Sequence, residues 1–324
     1  MTAFTQTERL QPAALRPGDT VGIIAPSGPI EADALEAGCA WLVRRGYQPF
    51  YLPGILDRDL YFAGSTARRL DEFHEMFGRP EVKAIICARG GYGCNYLLPK
   101  IDLGLVRANP RIFCGSSDVT TLLTYLCDAA GMVTFHGPML NVDVRPDGVD
   151  EEAWMAAMTS GEPYLREFGG DEVQTLVPGT AEGILYGGCL SLLCASLGTS
   201  YEIETRGTIL FLEDLAEPAF RVDRMLLHLK LAGKFEGVRG VIFGEMLNCG
   251  SPDAPEYTLP QVVLRVLGDL GVPIAYGLKS GHVTRNNFTL PFGVAAQFTA
   301  GELVSLHLAA SVRSEPAKVP VAKS

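Results

Sequence analysis

The chain is short of positive charge. Across 324 residues, 27 lysines and arginines face 37 aspartates and glutamates, a formal net charge of −10. A groove that tracks phosphates needs the opposite balance, so nucleic acid is a poor partner, although a local cationic pocket for a small anion stays open. Membrane-spanning length is also missing. The most apolar stretch, Ile184 to Leu197, is interrupted by Gly187, Gly188 and Ser191 and reads as a buried strand-turn-helix. Met1 to Leu10 lacks a basic segment followed by an apolar core, so no secretory signal is read there and a cytoplasmic, membrane-free protein is expected. The eight cysteines form no C-x-x-C pair and do not alternate with histidines at zinc spacing. Reduced core cysteines are the simplest account, and no metal is expected. Neither a G-x-x-x-x-G-K-[ST] nor a G-x-G-x-x-G loop is present, and there is no internal repeat.

What remains is an ordinary globular composition, 47% apolar and 20% charged, in a chain long enough for two domains. The first half alternates strand-like and helix-like segments. Apolar runs at Val21 to Ala25, Lys83 to Ala88 and Arg111 to Cys114 read as strands, and Glu31 to Arg45 and Thr66 to Phe77 as helices. That pattern predicts an α/β fold with an N-terminal parallel sheet, its functional groups gathered at the carboxyl ends of the strands. The second half reads as mixed α/β and β-rich, with strands at Thr208 to Glu213 and Gly240 to Phe243 and a β-rich end from Asn287 to Leu308. Expected boundaries are an N-terminal domain at 1–160, a linker at 161–180, a C-terminal domain at 181–312 and a flexible tail at 313–324.

Ser117 follows the Arg111 to Cys114 strand and Gly115-Ser116, and Asp118-Val119 leads into an apolar helix. A hydroxyl on a sharp strand-to-helix turn lies beside free backbone N–H groups, which suits a nucleophile. It also suits a plain helix cap. Val119 stands where a G-x-S-x-G elbow has its second glycine, which weighs against an α/β-hydrolase. A serine needs a base and the base an orienting acceptor. His74, His228 and His307 read as surface or packing residues. His136, in Phe135-His136-Gly137-Pro138, reads as structural before functional. His282 sits in a loop freed by Gly277 and Gly281 and can reach into a cleft. Glu213, ending an apolar strand, needs a partner for its desolvated carboxylate. Asp214 can cap the following helix, and Glu217 can pair with Arg221. Oxyanion donors can come from the Asp118 N–H and the Arg89-Gly90-Gly91-Tyr92-Gly93 loop.

Taken in order, Ile24-Ala25-Pro26-Ser27-Gly28, Ala88 to Gly93, Gly115 to Thr120, Phe135 to Met139, Gly187 to Ser191, Leu212-Glu213-Asp214, Phe220 to Arg224 and Gly281-His282 resemble the LD-carboxypeptidase family of serine peptidases. That family also holds the microcin C self-immunity proteins. The resemblance runs from about residue 18 to 300. It implies Ser117 as nucleophile, His282 as general acid/base and Glu213 as its orienter, in a cleft between the two domains. It implies an oxyanion hole from the Asp118 N–H with Gly91, or Gly90, and a homodimer with no cofactor. The implied reaction releases terminal D-alanine from muropeptide tetrapeptides at an L,D bond. The alternative is immunity-type hydrolysis of peptidyl or aminoacyl nucleotides, and a third reading is a binding protein that has kept the fold. Arg89, Tyr92, Tyr186 and Arg285 are candidate substrate contacts. The chain departs from the family at Cys189, usually asparagine, and Tyr96, often arginine.

Overall fold

The structure, a computed structural model, describes residues 9–250 and 257–314. Five short strands follow the first half of the chain: β1 (Thr20–Ile24), β2 (Gln48–Phe50), β3 (Val82–Cys87), β4 (Ile112–Gly115) and β5 (Thr134–His136). They are mutually parallel, in the order β5-β4-β3-β1-β2. The apolar runs explain the arrangement. A strand buried on both faces has no polar side to alternate, and β4 is buried at every position. Helices at Ala32–Arg44, Thr66–Gly78 and Thr120–Ala129 cover the faces. Ser65 caps the second by accepting from the Arg68 N–H. Its Phe73 and Phe77 rings pack on Phe113 of β4, with centroids 5.8 and 6.0 Å away.

The second half builds an eight-stranded mixed sheet from β6 (Tyr164–Phe168), β7 (Gln174–Val177), β8 (Gly179–Cys189), β9 (Thr208–Glu213), β10 (Gly240–Gly244) and β11 (Ile274–Leu278), with β13 (Ala295–Ala300) and β14 (Val304–Leu308). Its centre, β8-β9-β10-β11, is parallel, and the flanking strands are antiparallel. Strand β12 (Leu290–Phe292) belongs to the other sheet. It pairs antiparallel with β5, setting Leu290 opposite His136. The halves are therefore stapled by a strand that no local pattern announces.

Two expectations are revised. Residues 161–180, read as a connector, carry β6 and β7. β6 alternates exposed and covered positions as it pairs with β14, so its outward residues gave the segment a polar look. Of the tail read at 313–324, Arg313 instead bridges to Ala13, just after buried Ser311, and residues beyond 314 lie outside the described residues, as do Met1 to Glu8. Among the described residues no helix is long and apolar enough to cross a membrane.

Candidate active site

Ser117 lies just past the carboxyl end of β4, where the chain turns at once through Ser117–Val119 into helix Thr120–Ala129. Its φ is 59°, a left-handed conformation that costs a non-glycine residue about 1–3 kcal/mol. Strain of this kind persists where surrounding packing over-determines the backbone, and here it turns a half-buried serine off the sheet edge. The Arg89–Gly93 loop closes against it. A Cβ placed on Gly90 would stand 2.7 Å from the serine Cβ and 2.9 Å from its Oγ, so only glycine permits this approach. Among the described residues, the N–H groups of Gly90, Gly91 and Asp118 meet no protein acceptor. Convergent free donors beside a hydroxyl are what a developing oxyanion requires.

The Asp118 side chain has a separate task. It is fully buried, and its Oδ2 accepts from the Cys94 N–H at 2.9 Å and from the Ser27 hydroxyl. Arg69, also buried, donates to the Pro26 and Gly93 carbonyls at 2.6 and 2.9 Å. The loops after β1, β3 and β4 are thus tied to one another beneath the serine. Sequence reasoning credited Asp118 with its N–H alone.

Glu213 ends β9 with no exposure at all. Its Oε2 accepts from His282 Nδ1 at 2.8 Å and from the His282 backbone N–H at 3.0 Å. Burial opposes ionisation of Glu213, but the His282 imidazole with its hydrogen bonds, and His136 nearby, outweigh that and hold the carboxyl well below its usual range. Burial likewise works against a charged His282, and the Glu213 carboxylate outweighs it, so the imidazole is more basic than an ordinary histidine. Asn287 clamps the histidine loop, accepting from the Gly281 N–H at 3.0 Å and donating to the Gly281 carbonyl at 3.1 Å. Its amide also donates to buried Asp143, whose Oδ2 accepts from the Met139 N–H. Desolvation pushes the Asp143 carboxyl up to about 6.

Strand pairing brings the two clusters together. Gly115, two residues before Ser117, lies opposite His136, and Cys189 lies opposite Glu213. The Cys189 N–H donates to Thr120 Oγ1 at 3.0 Å, one turn beyond the serine. Cys189 itself is a buried thiol, its pKa driven up by desolvation. Asp214 caps the helix Leu190–Ala195 through the Ser191 N–H instead of the helix that follows it, because the end of β8 lies alongside. Glu217 and Arg221 do pair, at 3.5 Å.

The candidate substrate contacts scatter. Tyr92 is 44% exposed in an aromatic cluster with Tyr61, Phe62 and Tyr96. Arg89 donates to the Pro29 carbonyl at 3.0 Å, and Arg285 is exposed. Tyr186 is a correction: it is buried in the core and its hydroxyl is committed to Asp128 at 2.6 Å, so it offers no surface to a ligand. A cavity of about 670 Å³ opens elsewhere, bordered by Glu182, Arg206, Arg239, Gln297 and His307. None of the site residues borders it, and no serine, threonine, cysteine or lysine lines it, so the chemistry points to the surroundings of Ser117. Among the described residues no cluster of histidine, cysteine and carboxylate side chains could hold a metal ion.

Comparison with known proteins bears on this geometry. Residues 21–137 match the family model of the LD-carboxypeptidase N-terminal domain, and residues 182–298 that of the LD-carboxypeptidase C-terminal domain. The chain is 38% identical over 297 residues to the probable murein peptide carboxypeptidase of Bacillus subtilis (strain 168), covering 90% of this chain and 92% of that one. The muramoyltetrapeptide carboxypeptidase from Oxalobacter formigenes superposes with a TM-score of 0.80 at 29% identity, covering 89% of this chain and 99% of that one. MccF in complex with glutamyl sulfamoyl guanosine superposes with a TM-score of 0.85 at 25% identity, covering 94% and 100%.

Proposed function

We propose the reaction from one premise: the chain belongs to the LD-carboxypeptidase family of serine peptidases. It hydrolyses the L,D peptide bond of muropeptide tetrapeptides and releases terminal D-alanine during cell-wall recycling in the cytoplasm, as a homodimer. The carrying observation is the 2.8 Å bond between His282 Nδ1 and a carboxylate with no solvent exposure, set beside a strained serine turn. A buried carboxylate that accepts from Nδ1 fixes the tautomer whose Nε2 is free to take a proton.

In this mechanism Ser117 Oγ attacks the scissile carbonyl carbon while His282 Nε2 removes its proton. The carbonyl oxygen gathers negative charge and is held by the N–H of Asp118 and of Gly91, or Gly90. His282 then passes the proton to the D-alanine nitrogen as the C–N bond breaks, leaving an acyl-Ser117. Water attacks that ester with His282 again as base, and the proton returns to Ser117. Glu213 stays ionised throughout and stabilises the imidazolium. No step calls for a metal or an organic cofactor.

The nucleotide-directed alternative uses the same triad. Tyr186, a candidate contact under either reading, is buried with its hydroxyl engaged and favours neither. Incubating the protein with an L,D-tetrapeptide and with a processed microcin analogue, followed by mass spectrometry, separates the readings. Loss of D-alanine from the tetrapeptide is expected. Cleavage of the nucleotide analogue alone would reverse the assignment, and cleavage of neither would favour a binding protein.

A further inference from the structure

His136 faces the rear oxygen of the orienting carboxylate. Its Nε2 is 3.7 Å from Glu213 Oε1, and both side chains have no exposure. Among the described residues neither of these two atoms has a hydrogen-bond partner, while the other oxygen of Glu213 takes both bonds from His282. A buried carboxylate oxygen left unpaired is costly, and so is a buried N–H; across 3.7 Å each is placed to satisfy the other. The imidazole is held in place. Its ring stacks on Phe292 and leans on Phe211, with centroids 5.4 and 5.3 Å away, and its Nδ1 is 2.9 Å from Ser280 Oγ. Gly281 runs so close that a Cβ there would stand 2.7 Å from both His136 Cε1 and Glu213 Cδ.

We propose that His136 is a positioning residue for the triad: with its proton on Nε2, it donates to Glu213 Oε1 while Nδ1 accepts from the Ser280 hydroxyl. The carboxylate is then gripped on both oxygens, by His136 from the N-terminal sheet and by His282 from its own loop. Among the described residues Glu213 is the ionisable group within ion-pair distance of the ring; Ser280, Phe211, Phe292 and Gly281 also lie against it. The inference rests on the triad reading above, not on the identity of the substrate.

Two measurements test it. In the full chain labelled with 15N-histidine, the His136 signals, assigned through contacts to the Phe211 and Phe292 ring protons, should show the proton on Nε2 and none on Nδ1 under the conditions of the activity assay. A proton on Nδ1 overturns the proposal without any variant having to fold. The second follows phosphonylation of Ser117 by a fluorophosphonate, in which Oγ attacks phosphorus and fluoride leaves; it needs the triad but not the natural substrate. His136→Leu should slow labelling by about 10- to 100-fold with the melting curve still cooperative, and His136→Gln, which keeps an N–H donor, should recover most of the rate. Equal loss in the two variants would reduce His136 to packing, and an unaltered rate in His136→Leu would remove its role. Wild-type labelling no faster than that of Ser117→Ala would sink the triad itself and this inference with it. Normal labelling with an uncleaved tetrapeptide would touch only the substrate assignment.

Discussion

On the Ser117 side the cleft is made of backbone: a serine at φ 59°, glycines packed against it, and free N–H groups, with Asp118 and Arg69 tying the loops from below. On the His282 side it is made of side chains, with Glu213, His136, Asn287 and Asp143 drawn from segments far apart in the chain. The two sides fail differently. Backbone geometry is set by local sequence and by the sheet, so single substitutions there remove a chemical group and leave the frame standing. A side-chain relay loses its geometry with any one member.

The largest effect tests the backbone side. Ser117→Ala should reduce kcat on the tetrapeptide by about 10⁴- to 10⁶-fold while leaving the circular dichroism spectrum and the melting temperature nearly unchanged, since alanine can occupy the same turn. Retained turnover would disqualify the serine as nucleophile. A large fall in melting temperature would contradict the claim that the frame holds without its hydroxyl.

The relay side should show a smaller loss with a change in pH dependence. Glu213→Gln is expected to lower kcat by about 10²- to 10⁴-fold. The base works only when neutral, and Glu213 makes His282 more basic than usual, so wild-type activity should fade as pH falls through a value above about 6.5. Without the anion that limb should move to lower pH. The pair also contributes stability within a window. Its His282 share is complete below about pH 6.5 and is lost as pH rises through the raised folded value; its Glu213 share is present above about pH 4.3 and is lost as pH falls toward the depressed one. A pH–rate profile with an unmoved acidic limb would deny that Glu213 sets the basicity of His282.

That contrast also explains what could be read from the sequence. The parallel sheet was legible because β3 and β4 are uninterrupted apolar runs, and the sharp turn at Ser117 because strand, glycine, serine and helix are contiguous. Glu213 was legible as a carboxylate that an apolar strand would bury. The grip on it was not, because His136 reaches Glu213 only through the pairing of β12 with β5 and the return of the histidine loop, contacts between segments far apart in the chain. Asp118 deceived for a related reason: as the residue after the serine it drew attention to its N–H, while its side chain points down into Ser27 and Cys94. β6 and β7 were missed because strands with one solvated face carry turn-like composition.

Asp118 supplies a test of the tie beneath the backbone side. Asp118→Ala leaves the N–H in place, strands the Cys94 N–H in the interior and leaves the Ser27 hydroxyl only its 3.1 Å contact with Cys94 Sγ. An orphaned buried group costs about 1–3 kcal/mol, so urea unfolding should show a loss of roughly 1–3 kcal/mol, with kcat per folded molecule falling less than in Glu213→Gln. Equal catalytic losses would mean that the loops need the side chain for their reactive geometry, and the distinction between the two sides would narrow.

The smallest effect is expected where neither frame nor relay is touched. Tyr92 projects from the glycine loop with its ring 6.0 Å from Phe62 and 6.1 Å from Tyr96, and it is 44% exposed, so its removal opens no cavity in the core. Exposed substitutions of this kind change stability by less than about 0.5 kcal/mol. An aromatic face on the loop that closes against Ser117 is placed to pack against bound substrate, a contact worth about 0.5–1.5 kcal/mol. Such a contact involves no reacting atom, so it is made equally in the ground state and the transition state. Tyr92→Ala should therefore raise KM by about 2- to 10-fold with kcat unaltered, as uniform binding requires. A fall in kcat at constant KM would place Tyr92 in the positioning of Gly90 and Gly91 instead, and would make the aromatic cluster part of the backbone frame.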